Sequence, residues 1–181
     1  MTSEPSQPEE AAQRGKDLYQ SGDFSGAAQA FSDAVELFQQ QADDLKAAEM
    51  ANNQAVSLLQ LERANAAIEV LQGTPQIFEE SNELSLAAQA HGNLGQALAE
   101  AGQREQAQDH YRQAINLFEQ LDDRENLQHT ARALSQLQLN QGDAINALFS
   151  MQRGLEGSQP SSWRDRFLRW LLRLPSRFLS R

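Results

Sequence analysis

The sequence predicts an all-α solenoid of four helix pairs, followed by a C-terminal amphipathic helix. Three observations predict this fold class. Small and apolar residues recur at a step of forty along the chain, apolar residues within each unit have helical spacing, and turn residues separate the apolar segments. A constant period of this size is typical of proteins in which each repeat buries its apolar face against its neighbours.

The forty-residue step is clearest around Gly95 and Gly102, in the segment HGNLGQALAEAGQREQAQDHYRQAINL. Small side chains let two helix backbones approach closely, and a glycine after the first helix suits a left-handed turn. We therefore expect residues forty apart to occupy equivalent packing positions. The series are Gly15, Ala55, Gly95 and Ser135; Gly22, Glu62, Gly102 and Gly142; Ala27, Ala67, Ala107 and Ala147; Phe31, Leu71, Tyr111 and Met151; and Phe38, Phe78 and Phe118.

Turn signals bound the helices of the first repeat. A first helix is predicted from Pro8 to Gln20, because proline suits a first turn and acidic residues follow it. Ser21-Gly22-Asp23 predicts a turn, and a second helix is predicted from Phe24 to about Gln41. Repeat two is expected to begin at Asp43 or Asp44, either of which can cap a helix.

The second helix of repeat two contains a proline. This helix is predicted to begin near Arg63 and it meets Gly73-Thr74-Pro75. Proline inside a helix removes a hydrogen bond and costs about 3 kcal/mol or more. We therefore predict a kink or break at Pro75, with a new short helix to about Glu80. An irregular repeat and a functional hinge are the two interpretations of this break.

Repeat three is predicted from about Leu84 to Gln120, and repeat four from Arg124 to about Leu155 with a turn at Gln141-Gly142-Asp143. Glycine, serine and proline then indicate a linker. The predicted organisation is a disordered N-terminus over residues 1–7, a four-repeat domain over 8–156, a linker over 157–162 and a basic amphipathic helix over 163–181.

The repeats resemble those of tetratricopeptide repeat (TPR) proteins. The resemblance is carried by NLGQALAEAGQREQAQDHYRQAI from residue 93 to 115 and by RGKDLYQSGDFSGAAQAFSDAV from residue 14 to 35. The usual unit is about 34 residues, and the longer unit is similar to the repeats of kinesin light chain and of adaptors that orient the mitotic spindle. Glu62 and Ser135 depart from the pattern, because each replaces a glycine of the other repeats.

The resemblance implies an adaptor or assembly factor whose first helices line a groove for a partner's peptide or helix. Asn53 and Asn93 match the asparagine that related adaptors use to hold a peptide backbone, and an amide can both donate and accept hydrogen bonds. A solvated helix face is the alternative interpretation. The implied groove residues are Lys16, Tyr19, Asn52, Asn53, Val56, Leu59, Asn93, Gln96, Arg132 and Gln136, with Gln13, Gln20, Gln60, Glu100, His129 and Asn140 beside them. Most of the positive charge of the clamp that holds chaperone C-termini is absent, which argues against a chaperone-tail receptor.

Composition argues against several kinds of site. The chain has no cysteine, which excludes disulfides, zinc-thiolate sites and a cysteine nucleophile. Its three histidines, His91, His110 and His129, are too few and too regularly spread for a metal cluster, and we expect them to be structural. The sequence contains no phosphate-cradling glycine loop or nucleophile motif. We therefore expect no enzyme activity, no cofactor and no bound metal.

Charge is segregated between the body and the tail. Residues 1–162 contain 9 lysines and arginines against 24 acidic residues, whereas residues 163–181 contain 6 arginines and 1 aspartate. Such segregation indicates different partners for body and tail. The acidic body argues against nucleic acid as a partner, because it would repel phosphates. The N-terminus lacks the apolar region of a secretory signal, so we expect a cytoplasmic location, peripheral to a membrane if the tail docks there.

The tail is predicted to be an amphipathic helix that begins at Trp163. Ser162 and Asp165 have the spacing of a capping box, and Pro175 should kink or divide the helix. Trp163 to Leu174 spans only about 18 Å, short of the roughly 30 Å hydrocarbon core. Aromatic residues opposite arginines favour docking to an anionic membrane surface or a membrane protein, and capping of the array or occupation of its own groove is the alternative. The predicted docking residues are Trp163, Arg166, Phe167, Arg169, Trp170, Leu171, Arg173, Leu174, Arg177 and Phe178.

Overall fold

The computed structural model of the chain describes residues 6–155. Within that range the chain forms nine α-helices and no strand. The predicted linker, the predicted C-terminal helix and residues 1–5 lie outside the described residues. The helices are α1 (Gln7–Gln20), α2 (Phe24–Gln40), α3 (Asp44–Gln60), α4 (Ala64–Leu71), α5 (Thr74–Glu80), α6 (Leu84–Glu100), α7 (Arg104–Gln120), α8 (Arg124–Asn140) and α9 (Ala144–Leu155).

The break predicted in repeat two is confirmed. Helix α4 ends at Leu71, and Gly73 takes a left-handed conformation with φ of 81°. Helix α5 then begins at Thr74 and places Pro75 in its first turn. A proline at that position removes a backbone N–H that has no partner within the helix, so it begins a helix without loss of a hydrogen bond.

The turns between helices recur every twenty residues, both within and between repeats. At each turn one residue has a left-handed backbone conformation, with φ between 54° and 84°. These residues are Gly22, Ala42, Glu62, Asn82, Gly102, Asp122 and Gly142. After each of them the next backbone N–H donates to a carbonyl five residues earlier, for example Asp23 to Leu18 at 2.9 Å and Arg63 to Leu58 at 2.9 Å. This is the Schellman arrangement that satisfies the last carbonyls of a helix. Glu62 therefore preserves the turn although it replaces a glycine.

The residue after each left-handed position immediately precedes the next helix. At four of these positions an aspartate caps it, because the carboxylate accepts a hydrogen bond from the backbone N–H three residues on. The capping residues are Asp23, Asp43, Asp123 and Asp143. Such caps stabilise a helix by roughly 0.5–2 kcal/mol, and together with the Schellman turn they keep each link between helices very short.

The two helices of a repeat fit by complementary side-chain size. A Cβ atom on Gly15 would lie 2.7 Å from the ring of Phe31, and one on Gly95 would lie 2.8 Å from the ring of Tyr111. Phe31 on α2 and Tyr111 on α7 therefore each need a glycine opposite the ring. Burial, with Glu100 nearby, raises the pKa of Tyr111 to about 12. In repeat two, Leu71 replaces the aromatic residue and is smaller, and Ala55 replaces the glycine and is larger.

The alanine series occupies equivalent buried positions, as the sequence predicts. The exposed fractions are 0% for Ala27, Ala67 and Ala107 and 2% for Ala147. The phenylalanine series is also buried, with 2% of Phe38, 0% of Phe78 and 3% of Phe118 exposed. The alanine step therefore marks a buried core position in all four repeats, and the phenylalanine step marks one in the first three, whereas Met151, the last member of another series, is half-buried.

The chain forms two compact units, divided after Leu117 inside α7. In the first unit α1 packs on α2, α2 packs on α3, and α3 packs on α4, α5 and α6. In the second unit α8 packs on α9. Ser135 on α8 donates to the carbonyl of Ala147 on α9 at 2.9 Å, so this serine replaces the glycine of other repeats with a hydrogen bond.

Candidate functional site

The first unit contains eight of the ten groove residues implied by the sequence. They lie on the first helices of three repeats: Lys16 and Tyr19 on α1; Asn52, Asn53, Val56 and Leu59 on α3; and Asn93 and Gln96 on α6. Arg132 and Gln136 lie on α8, in the second unit, and both are exposed. The candidate site is therefore built from α1, α3 and α6.

Four of these residues surround one cavity of 160 Å³ between α1 and α3. We call it the α1–α3 cavity. It is lined by Lys16, Tyr19, Gln20, Phe31, Asn53 and Val56. A cavity of this volume accommodates one medium-sized apolar side chain.

The polar groups of the α1–α3 cavity are available to a ligand. Lys16 is exposed and Asn53 is half-buried. Among residues 6–155 neither side chain has a hydrogen-bond or ion-pair partner. The ring of Tyr19 is held edge-on against Phe24, with ring centroids 5.2 Å apart. The cavity thus combines an apolar interior with an ammonium group and an amide that can both donate and accept.

A second polar contact joins α3 to α6. The Nδ2 atom of Asn93 donates to Oδ1 of Asn52 at 2.9 Å, and only 5% of Asn52 is exposed. Because a buried amide must be hydrogen-bonded, this pair positions Asn93 rather than leaving Asn52 free for a ligand. Asn93 is half-buried, and its side-chain Oδ1 atom accepts no hydrogen bond from the described residues.

The remaining groove residues take different environments. Leu59 is only 7% exposed and belongs to the core of the first unit. Gln96 is exposed and its Nε2 atom donates to Glu100 on the same helix at 2.9 Å. Gln136 donates to Asn140 at 3.0 Å in the same way.

The structure also brings together a buried histidine, His91, and a half-buried one, His110, which the sequence interpretation treated as separate residues. Nδ1 of His91 lies 2.9 Å from Nδ1 of His110, and Nε2 of His91 lies 3.1 Å from Oε1 of Glu79. Only 1% of His91 is exposed. Burial, and then the neighbouring His91, lower the pKa of His110. Glu79 reaches this network from α5, the helix that the break at Pro75 creates, so spacing alone could not reveal it.

The described residues contain no group of three or more side chains arranged to hold a metal ion. None of their helices is both long and apolar enough to cross a membrane.

The sequence matches one protein-family model, described as soluble NSF attachment protein, SNAP, over residues 7–151. A search of curated proteins gave no match. The chain is similar in structure to the apo form of RapI, with a TM-score of 0.75 and 20% identity, over 84% of this chain and 57% of RapI. It is also similar to putative kinesin light chain TPR-like repeats of Podosopora anserina, with a TM-score of 0.71 and 12% identity, over 92% and 84% of the two chains.

A third similar structure is the Rap conjugation gene regulator of plasmid pLS20 in complex with a peptide. The TM-score is 0.66 at 15% identity, over 93% of this chain and 47% of the regulator. The chain thus spans little more than half of RapI and less than half of the Rap regulator. These matches confirm the predicted fold class of TPR-like helix pairs.

Proposed function

The chain belongs to the soluble NSF attachment protein (SNAP) family, and we propose that it is a non-enzymatic adaptor or assembly factor. Its ligand is a peptide segment or helix of a partner protein, held on the surface formed by α1, α3 and α6. The family name records attachment to another protein, and one similar structure was solved with a peptide. Both are consistent with a protein ligand.

One observation carries this proposal, namely the convergence of Lys16, Asn53 and Val56 at the α1–α3 cavity. An extended peptide needs its backbone groups satisfied and its side chains seated. The Asn53 amide can pair with one backbone N–H and one C=O. The apolar interior can seat one side chain of the ligand, and the Lys16 ammonium favours an acidic group next to it.

The test is selection of peptides from a phage-displayed random library on the full chain, followed by binding measurements on one selected peptide. Asn53→Ala should weaken binding roughly 2- to 10-fold, the equivalent of one net hydrogen bond. Val56→Gln, which introduces the residue that repeat three has at this position, should also weaken binding because it makes the cavity polar.

Asn65→Ala is the matched control, since Asn65 is an exposed amide on the second helix of the same repeat. It should leave binding unchanged. Selected peptides that bind the Asn53 and Val56 variants as tightly as the unchanged chain would contradict the proposal.

We further propose that the basic tail docks the adaptor to an anionic membrane surface or a membrane protein. The support is the sequence pattern, with aromatic residues such as Trp163 and Trp170 on one face and arginines on the other. Each arginine near an anionic leaflet adds about 1 kcal/mol to binding. A soluble regulator whose tail caps the array or occupies its own groove is the competing function.

Flotation with anionic vesicles distinguishes these two functions of the tail. The full chain should float, and a chain that ends at residue 161 should not. Equal flotation of both would refute membrane docking and leave the groove proposal untouched, because the peptide measurements contain no lipid.

A further inference from the structure

Two large apolar side chains lie exposed on the last described helix. The exposed fractions are 70% for Ile145 and 61% for Phe149. They are four residues apart on α9, so they lie on one face of it. We call this pair the α9 strip. Single exposed apolar residues are common, but two adjacent ones on one helix face require an explanation.

The other repeats provide an internal comparison for the α9 strip. At steps of forty, Ile145 corresponds to Ser25, Asn65 and Glu105, and Phe149 corresponds to Gln29, Glu69 and Asp109. All six counterparts are polar or charged, and all six are exposed. In the first three repeats this face of the second helix is therefore polar and exposed to solvent. In the fourth repeat the same face is apolar.

The α9 strip is not the face on which a further repeat would stack. In repeat one, α3 packs against α2, yet Ser25 and Gln29 remain exposed. A helix that merely continued the array would therefore leave Ile145 and Phe149 uncovered. Their occupant must approach from another side of α9.

We propose that, in the absence of a membrane, the α9 strip is the docking site for the chain's own C-terminal segment, residues 163–178, which folds back antiparallel on α9 and leaves it when the tail docks to a membrane. The intervening residues 156–162 number seven and contain Gly157 and Pro160. Extended, they span up to about 23 Å, more than the 8–10 Å between packed helices. A tether of this length makes docking intramolecular, at a high effective concentration.

The spacing of apolar residues matches in this antiparallel arrangement. Along a helix, Phe149 lies about 9 Å and Ile145 about 15 Å before Leu155. In a helical tail, Phe167 lies about 6 Å and Leu171 about 12 Å beyond Trp163. The two pairs therefore have the same separation of about 6 Å, and Phe167 reaches Phe149 and Leu171 reaches Ile145 when Trp163 lies about 3 Å before the level of Leu155.

Charge favours the same arrangement. Arg153 in the last turn of α9 forms an ion pair with Glu119 at 2.6 Å, which places acidic residues beside the end of the helix. Residues 119–125 contain four carboxylates, of which Glu119 pairs with Arg153 and Asp122 pairs with Arg124, so two negative charges remain in excess. The tail would begin at this end of α9, where its first arginines, Arg164 and Arg166, meet opposite charge. A second copy of the chain or a membrane is a less favoured occupant, since neither is tethered there.

The chain reports directly on this contact, because its two tryptophans, Trp163 and Trp170, both lie in the tail. The experiment measures tryptophan emission and acrylamide quenching of the full chain in dilute buffer without lipid. The variant Ile145→Ser plus Phe149→Gln installs the residues of repeat one on α9. We expect short-wavelength emission and weak quenching in the unchanged chain. In the variant, emission should shift to longer wavelength and quenching should rise to that of a synthetic peptide of residues 163–181.

The matched control is Glu105→Ser plus Asp109→Gln, the same positions and the same new residues in repeat three. It should leave emission and quenching unchanged, and circular dichroism should be the same for all three proteins. Tryptophans as exposed in the unchanged chain as in the free peptide would overturn the proposal, as would an unaltered spectrum of the Ile145/Phe149 variant. Tryptophan burial that appears only at concentrations where sedimentation detects dimers would overturn it in favour of a second copy. These readouts depend on neither peptide nor vesicle binding.

Discussion

The substitution Gly15→Ala tests whether the repeats depend on complementary side-chain size. The added Cβ atom would lie 2.7 Å from two carbons of the Phe31 ring. Phe31 is only 3% exposed. The ring cannot move away into solvent, so the helices must separate. Such overpacking costs about 1–3 kcal/mol. Alanine also favours a helix by about 1 kcal/mol over glycine, so the expected net loss of stability is up to about 2 kcal/mol.

A second substitution should restore the fit. Repeat two has Ala55 and Leu71 at these positions, with 0% of either exposed. Phe31→Leu alone leaves a void, which costs about 1–2 kcal/mol. In the double variant the leucine leaves room for the new methyl group. The stability of the double variant should therefore exceed the additive expectation by about 1–3 kcal/mol, within the range measured for contacting residues.

The assay is urea denaturation followed by circular dichroism, applied to the unchanged chain, both single variants and the double variant. Gly92→Ala is the control, because Gly92 is also in a helix and nothing lies within 4 Å of an added Cβ atom. That variant should gain about 1 kcal/mol of stability. Additive effects of the two changes in repeat one, or a stabilising Gly15→Ala, would refute the size-complementarity argument.

Two further predictions concern the turns and the contact between His91 and His110. Ala42→Gly should raise the free energy of unfolding by about 0.5–1 kcal/mol, since Ala42 has φ of 57° where a Cβ atom is unfavourable. Asn82→Gly should gain less, because asparagine tolerates this conformation, and thermal denaturation compares the two. The pKa of His110 is lowered by burial from its usual 6.5. The unfolded state therefore takes up the proton first, and stability should fall as the pH decreases from about 7 through 6. Denaturation across this range should give a smaller pH dependence for His110→Asn and an unchanged one for the exposed His129→Gln; equal pH dependence in all three proteins would contradict the assignment.

The sequence predicts much of this fold because its signals are local. Gly22 and Gly102 fix turns through their own backbone preferences, and Pro75 fixes the break between α4 and α5 through its missing N–H. The turn at Ala42 was less apparent because no glycine indicates it. Its left-handed conformation is imposed by the hydrogen bonds and packing of the helices on either side.

The candidate site was less predictable, because it depends on contacts between distant residues. The sequence assigns Asn52 and Asn53 the same role, yet Asn52 is buried and pairs with Asn93 while Asn53 lies at the cavity. One helical step of about 100° separates them, and the step decides which amide meets α6. The α9 strip, in contrast, could have been found from the sequence. Comparison of Ile145 and Phe149 with their counterparts in the other repeats would have revealed it.

The central functional claim is that a partner's peptide binds at the α1–α3 cavity. The most direct measurement is nuclear magnetic resonance of the isotope-labelled full chain, titrated with a peptide selected from the random library. We predict that the largest shift changes occur at Lys16, Asn53 and Val56, and that Val56→Gln reduces them while Asn65→Ala does not. Shift changes centred on other helices, with these three residues unaffected, would contradict the claim.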